Sequence, residues 1–420
     1  MNETKSIIFL REKWEKFLEC DVKWHLVLIT GITVLLFIAE FIAHGSVMRL
    51  DADTQSYYWD GESVMNGIFP FLRTPVYPAL LYGLVSIFGK FGIYALSLVQ
   101  LAALLTAEIC IYKAVRIATK KAWISLACAI AFGWRFKTVL LTMIVMTESL
   151  AISAVAILIY FIVKAVTAED SWKYCIAIGL LTALMLMLRP FFICLTPAVA
   201  VTLIYCAWKG NGRARTAAAV AAVLAIAPYI GYCAIFKSNY GVFTTSSVGV
   251  SNTASSLHDM DQSLPLDYDW EHDFQKINAQ NGKIVHERFG EYAKMKLSLF
   301  SNSAFGTYKY FPEWNKYPLN DNDRFEPKML LLTLLTIAYM WLTIMDMKRK
   351  EWDVATVRTA IAISAVAITF TAFVGAESQF SRIMMPSYPV AIAMMAGLLK
   401  EMTCKKKSRD DKPDRADAVR

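Results

Sequence analysis

Long apolar runs alternate with short charged stretches along most of this chain. The runs lie near 26–47, 93–115, 122–140, 146–166, 173–189, 191–208, 214–236, 328–346, 356–374 and 382–399. Each is close to the roughly 20 residues that cross a bilayer as a helix. They predict an all-α polytopic membrane protein with about ten transmembrane helices. Arg189 and Pro190 interrupt the 173–208 stretch, and Pro190 marks a hairpin point between two spans. Proline removes a helix donor and restricts the residue before it. Two long polar segments, 48–92 and 237–327, separate the runs. Within the first, residues 76–88 are apolar but too short to span, which fits an interfacial or re-entrant helix. The second has one helix-like piece near 271–300 and carries Tyr240, Trp270, Tyr308, Tyr310 and Trp314. No internal repeat is visible.

Composition agrees: 56% of residues are hydrophobic and 19% charged, against about a quarter charged in a soluble domain. Charge adds a direction. The net +8 sits in short clusters beside the apolar runs, which is a topology signal and does not suggest nucleic acid. With a cytoplasmic amino terminus, alternation puts Arg116, Lys120 and Lys121 inside, then Lys164 and Lys173, then Lys209, Arg213 and Arg215. Lys348, Arg349, Lys350 and Arg358 follow, and then Lys405, Lys406 and Lys407. Both termini are thus expected in the cytoplasm, and both long segments outside. Residues 1–24 are polar without a cleavage site, so the first helix is expected to be a retained anchor. Residues 1–400 read as one transmembrane domain and 401–420 as a disordered basic cytoplasmic tail. The eight cysteines fall mostly inside apolar runs without a CxxC pair, which points to buried thiols.

The candidate chemistry concentrates outside. Asp51-Ala-Asp53-Thr-Gln-Ser-Tyr57-Tyr-Trp-Asp60 follows the first span. Carboxylates there accept a proton from an attacking hydroxyl or coordinate a cation; taken alone, they also read as a solvated helix end. Arg73-Thr-Pro-Val-Tyr77-Pro leads into the short apolar helix. Its arginine fork suits a lipid phosphate, or simply snorkels. Glu148, Arg189, Glu377 and Arg382 fall at the outer ends of spans, where ionisable groups mark function or a structural ion pair. Glu40 and Glu108 lie nearer mid-span and read as helix–helix glue. P-loop, GxGxxG, HExxH and GxSxG contexts are absent. His258, His272 and His286 match no helical ligand pair. No metal site or cofactor is called for, although the acidic clusters leave a divalent cation open.

Asp53-x-x-x-Tyr57, then Gly67, then Arg73-Thr-Pro-x-Tyr77-Pro before a short apolar helix resembles the membrane glycosyltransferases of the GT-C fold. The pattern is similar to the bacterial branch related to dolichyl-phosphate-mannose protein mannosyltransferases and aminoarabinose transferases. Thr147-Glu148-Ser149-Leu150, Leu188-Arg189-Pro190 and the series Glu377, Arg382, Pro386, Pro389 resemble later landmarks in order, over about residues 26–400. The resemblance implies a hexosyl or pentosyl transferase using a polyprenyl-phosphate-linked sugar on the non-cytoplasmic face of the cell membrane. The acceptor is a hydroxyl of a lipid, a cell-envelope glycan or a protein. It implies Asp53 as catalytic base, with Asp51 kept open, and donor phosphate binding by Arg73, Tyr77, Arg189 and Arg382. Tyr57, Glu148 and Glu377 support them. The loop 48–92 is then catalytic, and 237–327 is a lid or the acceptor side. Thr54 stands where related enzymes carry the Glu of an Asp-Glu pair, which weakens the case for a protein acceptor. The implied partners are the donor and membrane lipids. A transporter or flippase of lipid-linked saccharide is the alternative, but internal repeats or broken midplane helices would be expected of it.

Overall fold

The structure is a computed structural model describing residues 22–51, 53–134, 138–265, 268–305, 328–375 and 383–410. In chain order, α1 is Val22–Ala43, α2 Thr54–Met65, α3 Val76–Phe88, α4 Gly92–Thr119, α5 Ala122–Trp134 and α6 Thr138–Leu141. Next come α7 Glu148–Thr167, α8 Trp172–Leu188, α9 Thr196–Lys209, α10 Gly212–Tyr240 and α11 Val248–Met260. The last are α12 Phe274–Glu287, α13 Phe289–Phe305, α14 Lys328–Lys348, α15 Trp352–Gly375 and α16 Tyr388–Asp410. Among the described residues, seven stretches are long and apolar enough to cross a membrane, and α5 and α8 are shorter apolar helices. Together with α16 they account for the apolar runs of the sequence, and the chain is an all-α polytopic membrane protein.

The bundle is built as lipid-exposed helices must be, with large apolar residues outward and small or polar ones inward. On α1, Trp24, Val27, Leu35, Ile38 and Ile42 are exposed, while His25, Ile29 and Thr33 are buried. That four-residue spacing is one helix face. The Thr33 hydroxyl meets both Glu108 carboxylate oxygens at 2.9 and 2.8 Å. A Cβ at Gly133 of α5 would lie 1.9 Å from Glu108 Oε1, so glycine makes room for the carboxyl. The partner of Glu108 that the sequence leaves unnamed is therefore Thr33. At the centre, α7 packs against α4, α8, α9, α15 and α16. Its buried Ala151, Ser153, Ala154 and Ala156 let these neighbours approach closely.

The segments between spans hold more helix than their sequence suggests. The short helix expected at 76–88 is α3, with Tyr77, Pro78 and Leu81 buried. Ahead of it stands α2, which the sequence does not announce. The single piece expected near 271–300 is two helices, α12 and α13, separated at Arg288. A further helix, α11, covers Val248–Met260. Its Val, Gly, Ser, Asn and Thr are weak helix formers, which is why periodicity missed it. The last helix continues to Asp410, ten residues into the expected disordered tail. Tyr308, Tyr310 and Trp314, residues 376–382 and the end of the tail lie outside the described residues.

The two long segments pack on one another. The Tyr240 hydroxyl donates to the Phe69 carbonyl at 2.8 Å, and Ser247 N–H to the Phe71 carbonyl at 3.0 Å. Phe71 sits among Phe236, Tyr240 and Phe274, with ring centroids 4.8–6.2 Å away.

Candidate active site

Three local features bring the site together. The first is a buried irregular stretch at 142–147, just before α7. Gln100 of α4 donates its amide to the carbonyls of Thr142 and Ile144, both at 3.0 Å. Arg49 exchanges backbone hydrogen bonds with Met143 and Val145, and the Thr54 hydroxyl reaches the Val145 carbonyl at 3.3 Å. Buried backbone groups demand such partners. Their effect is to hold the start of α2 beside the start of α7.

The second feature is one face of α2. Asp53, Ser56, Tyr57 and Asp60 are spaced as neighbours on a helix, and all four engage Arg73. The guanidinium Nη2 donates to Asp53 Oδ1 at 2.8 Å and Nε to the Ser56 hydroxyl at 3.0 Å. Its carbon lies 4.8 Å from the centroid of the Tyr57 ring, within cation–π range. Asp60 accepts the Arg73 backbone N–H. Burial pushes the Asp60 carboxyl up to about 6, opposed by the backbone N–H and charge of Arg73. Burial also pushes the Tyr57 phenol up, so it remains a neutral hydroxyl.

The third is the junction of α8 and α9. Before Pro190, Arg189 is forced out of helical geometry, with φ −149° and ψ 123°. The extended residue turns towards α7, and Arg189 Nη1 donates to Glu148 Oε1 at 2.9 Å. Glu148 is almost fully buried at 1%, while Arg189 keeps 19% exposure. A hydrogen bond from the Thr74 hydroxyl to the Leu188 carbonyl at 3.1 Å ties the two arginine-bearing segments together.

These pieces surround a cavity of about 490 Å³. One wall carries Asp53, Ser56, Tyr57 and Arg73, another Thr147 and Arg189. A third comes from the start of α11, with Ser246, Gly249, Ser251 and Asn252. Among the described residues, Arg73 uses two of its five N–H groups on side-chain acceptors, and its side chain lines the cavity.

Of the residues singled out by sequence, Asp53, Tyr57, Arg73 and Arg189 line this cavity, and Glu148 lies directly behind Arg189. Tyr77, expected at the donor phosphate, is instead fully buried one layer back. Its ring packs edge-on against Tyr57 at 4.8 Å. Asp51 is not among the cavity-lining residues; its backbone N–H donates to the Thr54 hydroxyl at 2.9 Å. Glu377 and Arg382 lie outside the described residues. Sequence reasoning named Asp60 only as one carboxylate of the Asp51–Asp60 cluster, without its tie to Arg73, and missed Ser56 and the Ser246–Asn252 wall. The 53, 56, 57, 60 spacing carries a signal for Ser56 and for the role of Asp60; the wall carries none beyond its small polar residues. Among the described residues, no group of three His, Cys, Asp or Glu side chains is gathered for a metal.

Residues 72–233 match the family model described as dolichyl-phosphate-mannose-protein mannosyltransferase. The match supports a membrane glycosyltransferase of the GT-C type. No curated protein matches the chain significantly. The matched stretch carries Arg73, Tyr77, Glu148 and Arg189, whereas Asp53 and Tyr57 precede it. In general terms it supports a polyprenyl-phosphate-sugar-dependent glycosyltransferase and a multi-pass membrane setting.

Proposed function

We propose that the chain transfers a sugar from a polyprenyl-phosphate donor to a hydroxyl-bearing acceptor, in the cavity beside α2. The observation that carries this reading is the convergence of one part-exposed carboxylate, Asp53, with two arginines, Arg73 and Arg189, on a single cavity wall system. Asp53 takes the acceptor proton as the hydroxyl oxygen attacks the anomeric carbon. A C–O bond forms to the acceptor. The bond from the anomeric carbon to the phosphate oxygen breaks, and its electron pair leaves with polyprenyl phosphate. The leaving group is already a stable anion, so no strong general acid is required. Arg73 and Arg189 offer the cationic donors that stabilise charge developing on that phosphate. Base assistance of this kind is worth ~10²–10⁴-fold.

Tyr57 and Glu148 support this arrangement by holding the two arginines, and Tyr77 backs the Tyr57 ring. The segment around α11, α12 and α13 acts as a lid or acceptor side, and the donor's apolar tail enters beside α3. The cavity-bearing face is assigned to the non-cytoplasmic side on charge. Lys120 and Lys121, Lys164 and Lys173, Lys209 and Arg213, and Lys348 to Lys350 all lie in the end turns or connections at the other ends of these helices. That assignment puts both termini in the cytoplasm.

The test is turnover by purified full-length protein. Given a polyprenyl-phosphate sugar and a panel of lipid, glycan and peptide acceptors, it should release polyprenyl phosphate only when an accepted hydroxyl is present. Movement of intact donor across a vesicle bilayer without any release would replace this reading with transport.

A further inference from the structure

The arrangement of α2 goes beyond supplying a base. Residues 53, 56, 57 and 60 point along one helix face at one arginine, and Asp60 does so from a closed position at 6% exposure. It does not line the cavity, so it has no direct access to a ligand there. It grips the chain at Arg73 through the backbone N–H, and the backbone N–H groups of Leu72 and Phe71 also face it. The neighbouring Gly61 fixes how deeply α2 is seated. A Cβ there would come within 2.3 Å of the Pro78 carbonyl oxygen, so the helix sits against α3 as closely as backbone allows. Downstream, the Thr74 hydroxyl pins the same segment to the end of α8. The arginine is therefore fixed at backbone, Nε and Nη2 before any ligand arrives.

We propose that Asp60, aided by Ser56, is a positioning residue that sets the Arg73 guanidinium for recognition of the donor phosphate. This rests on the reading that Arg73 binds that phosphate. Preorganised donors avoid a reordering cost on binding, so loosening Arg73 weakens the donor without removing any group that touches it. Asp60→Asn keeps the shape of the side chain but replaces a charged acceptor facing several N–H donors with one oxygen and one NH₂ group. Ser56→Ala removes only the Nε acceptor.

The experiment measures binding of a short-chain polyprenyl phosphate to the purified full-length protein and to its variants. Arg73→Ala should weaken binding roughly 10-fold or more, Asp60→Asn about 10-fold and Ser56→Ala about 3-fold. The decisive readout is coupling. Asp60→Asn combined with Arg73→Ala should bind no worse than Arg73→Ala alone, because Asp60 acts through Arg73. Independent, additive losses in the double variant would overturn the proposal, as would unchanged binding in both Asp60→Asn and Ser56→Ala. If Arg73→Ala itself binds normally, the phosphate role of Arg73 fails first and the positioning role falls with it. Should Asp60→Asn fail to fold, Ser56→Ala paired with Arg73→Ala gives the same cycle.

Discussion

At the cavity end of the bundle, Arg73 pairs with Asp53 and Arg189 with Glu148. At the other end, Arg358 pairs with Asp346 at 2.9 Å and with Glu401 at 2.8 Å. The chemistry is alike, but the surroundings differ. Arg358 and Asp346 are 4% and 2% exposed, and the Tyr339 ring closes over the guanidinium at 5.6 Å. Arg73 and Asp53 are 22% and 24% exposed and face a cavity. The closed cluster joins α14, α15 and α16 and has its hydrogen-bonding capacity turned inward. The open one keeps donors for a ligand. An ion pair near a helix end thus reads as structural or functional according to what its unused donors face.

This contrast can be broken by paired substitutions. Arg358→Leu strips a buried cation from Asp346 and should cost about 3–5 kcal/mol of stability, read as a large fall in the melting temperature of the purified protein. The donor KM of its folded fraction should not move. Arg73→Ala should do the reverse. Its pair is about a quarter exposed, so the loss of stability should be ~1 kcal/mol or less, whereas donor KM rises roughly 10-fold or more. Equal effects of the two variants on both readouts would erase the distinction.

A smaller effect concerns pH. The folded protein holds the Asp60 proton more tightly than the unfolded chain, with the carboxyl raised to about 6 from 3.8. The contribution to stability is therefore complete below pH 3.8 and fades as pH rises through about 6. Arg73 faces Asp60, as do the phenols of Tyr232 and Tyr240 on α10. The melting temperature of wild type should lose ground between pH 4 and 6 relative to Asp60→Asn, and the two curves should run parallel above pH 7. Parallel curves throughout would mean that Asp60 does not titrate there.

The spans were legible in the sequence because lipid selects long apolar runs and loop charges fix their alternation. Pro190 and Arg189 were legible for a local reason: proline dictates the conformation of the residue before it. Asp53 and Arg73 were legible as residues but not as a pair, since 20 positions separate them. The loop joining them owes its course to Asp60, Gly61 and the phenylalanines under α11. Helix α11 was hidden because tertiary packing of Val250, Ala254 and Leu257, all buried, outweighs weak propensity. Arg358 misled in the opposite sense. By sequence it belongs to a cytoplasmic basic cluster, yet its charge is consumed inside the protein.

The central claim is that Asp53 performs the proton transfer in this cavity. It is tested most directly by comparing the rate of polyprenyl phosphate release in Asp53→Asn and Asp51→Asn under saturating donor and acceptor. Asp53→Asn should lose ~10²–10⁴-fold in turnover at saturating donor while keeping its melting temperature, and Asp51→Asn should stay close to wild type. Full turnover in Asp53→Asn, or loss in Asp51→Asn alone, would contradict it.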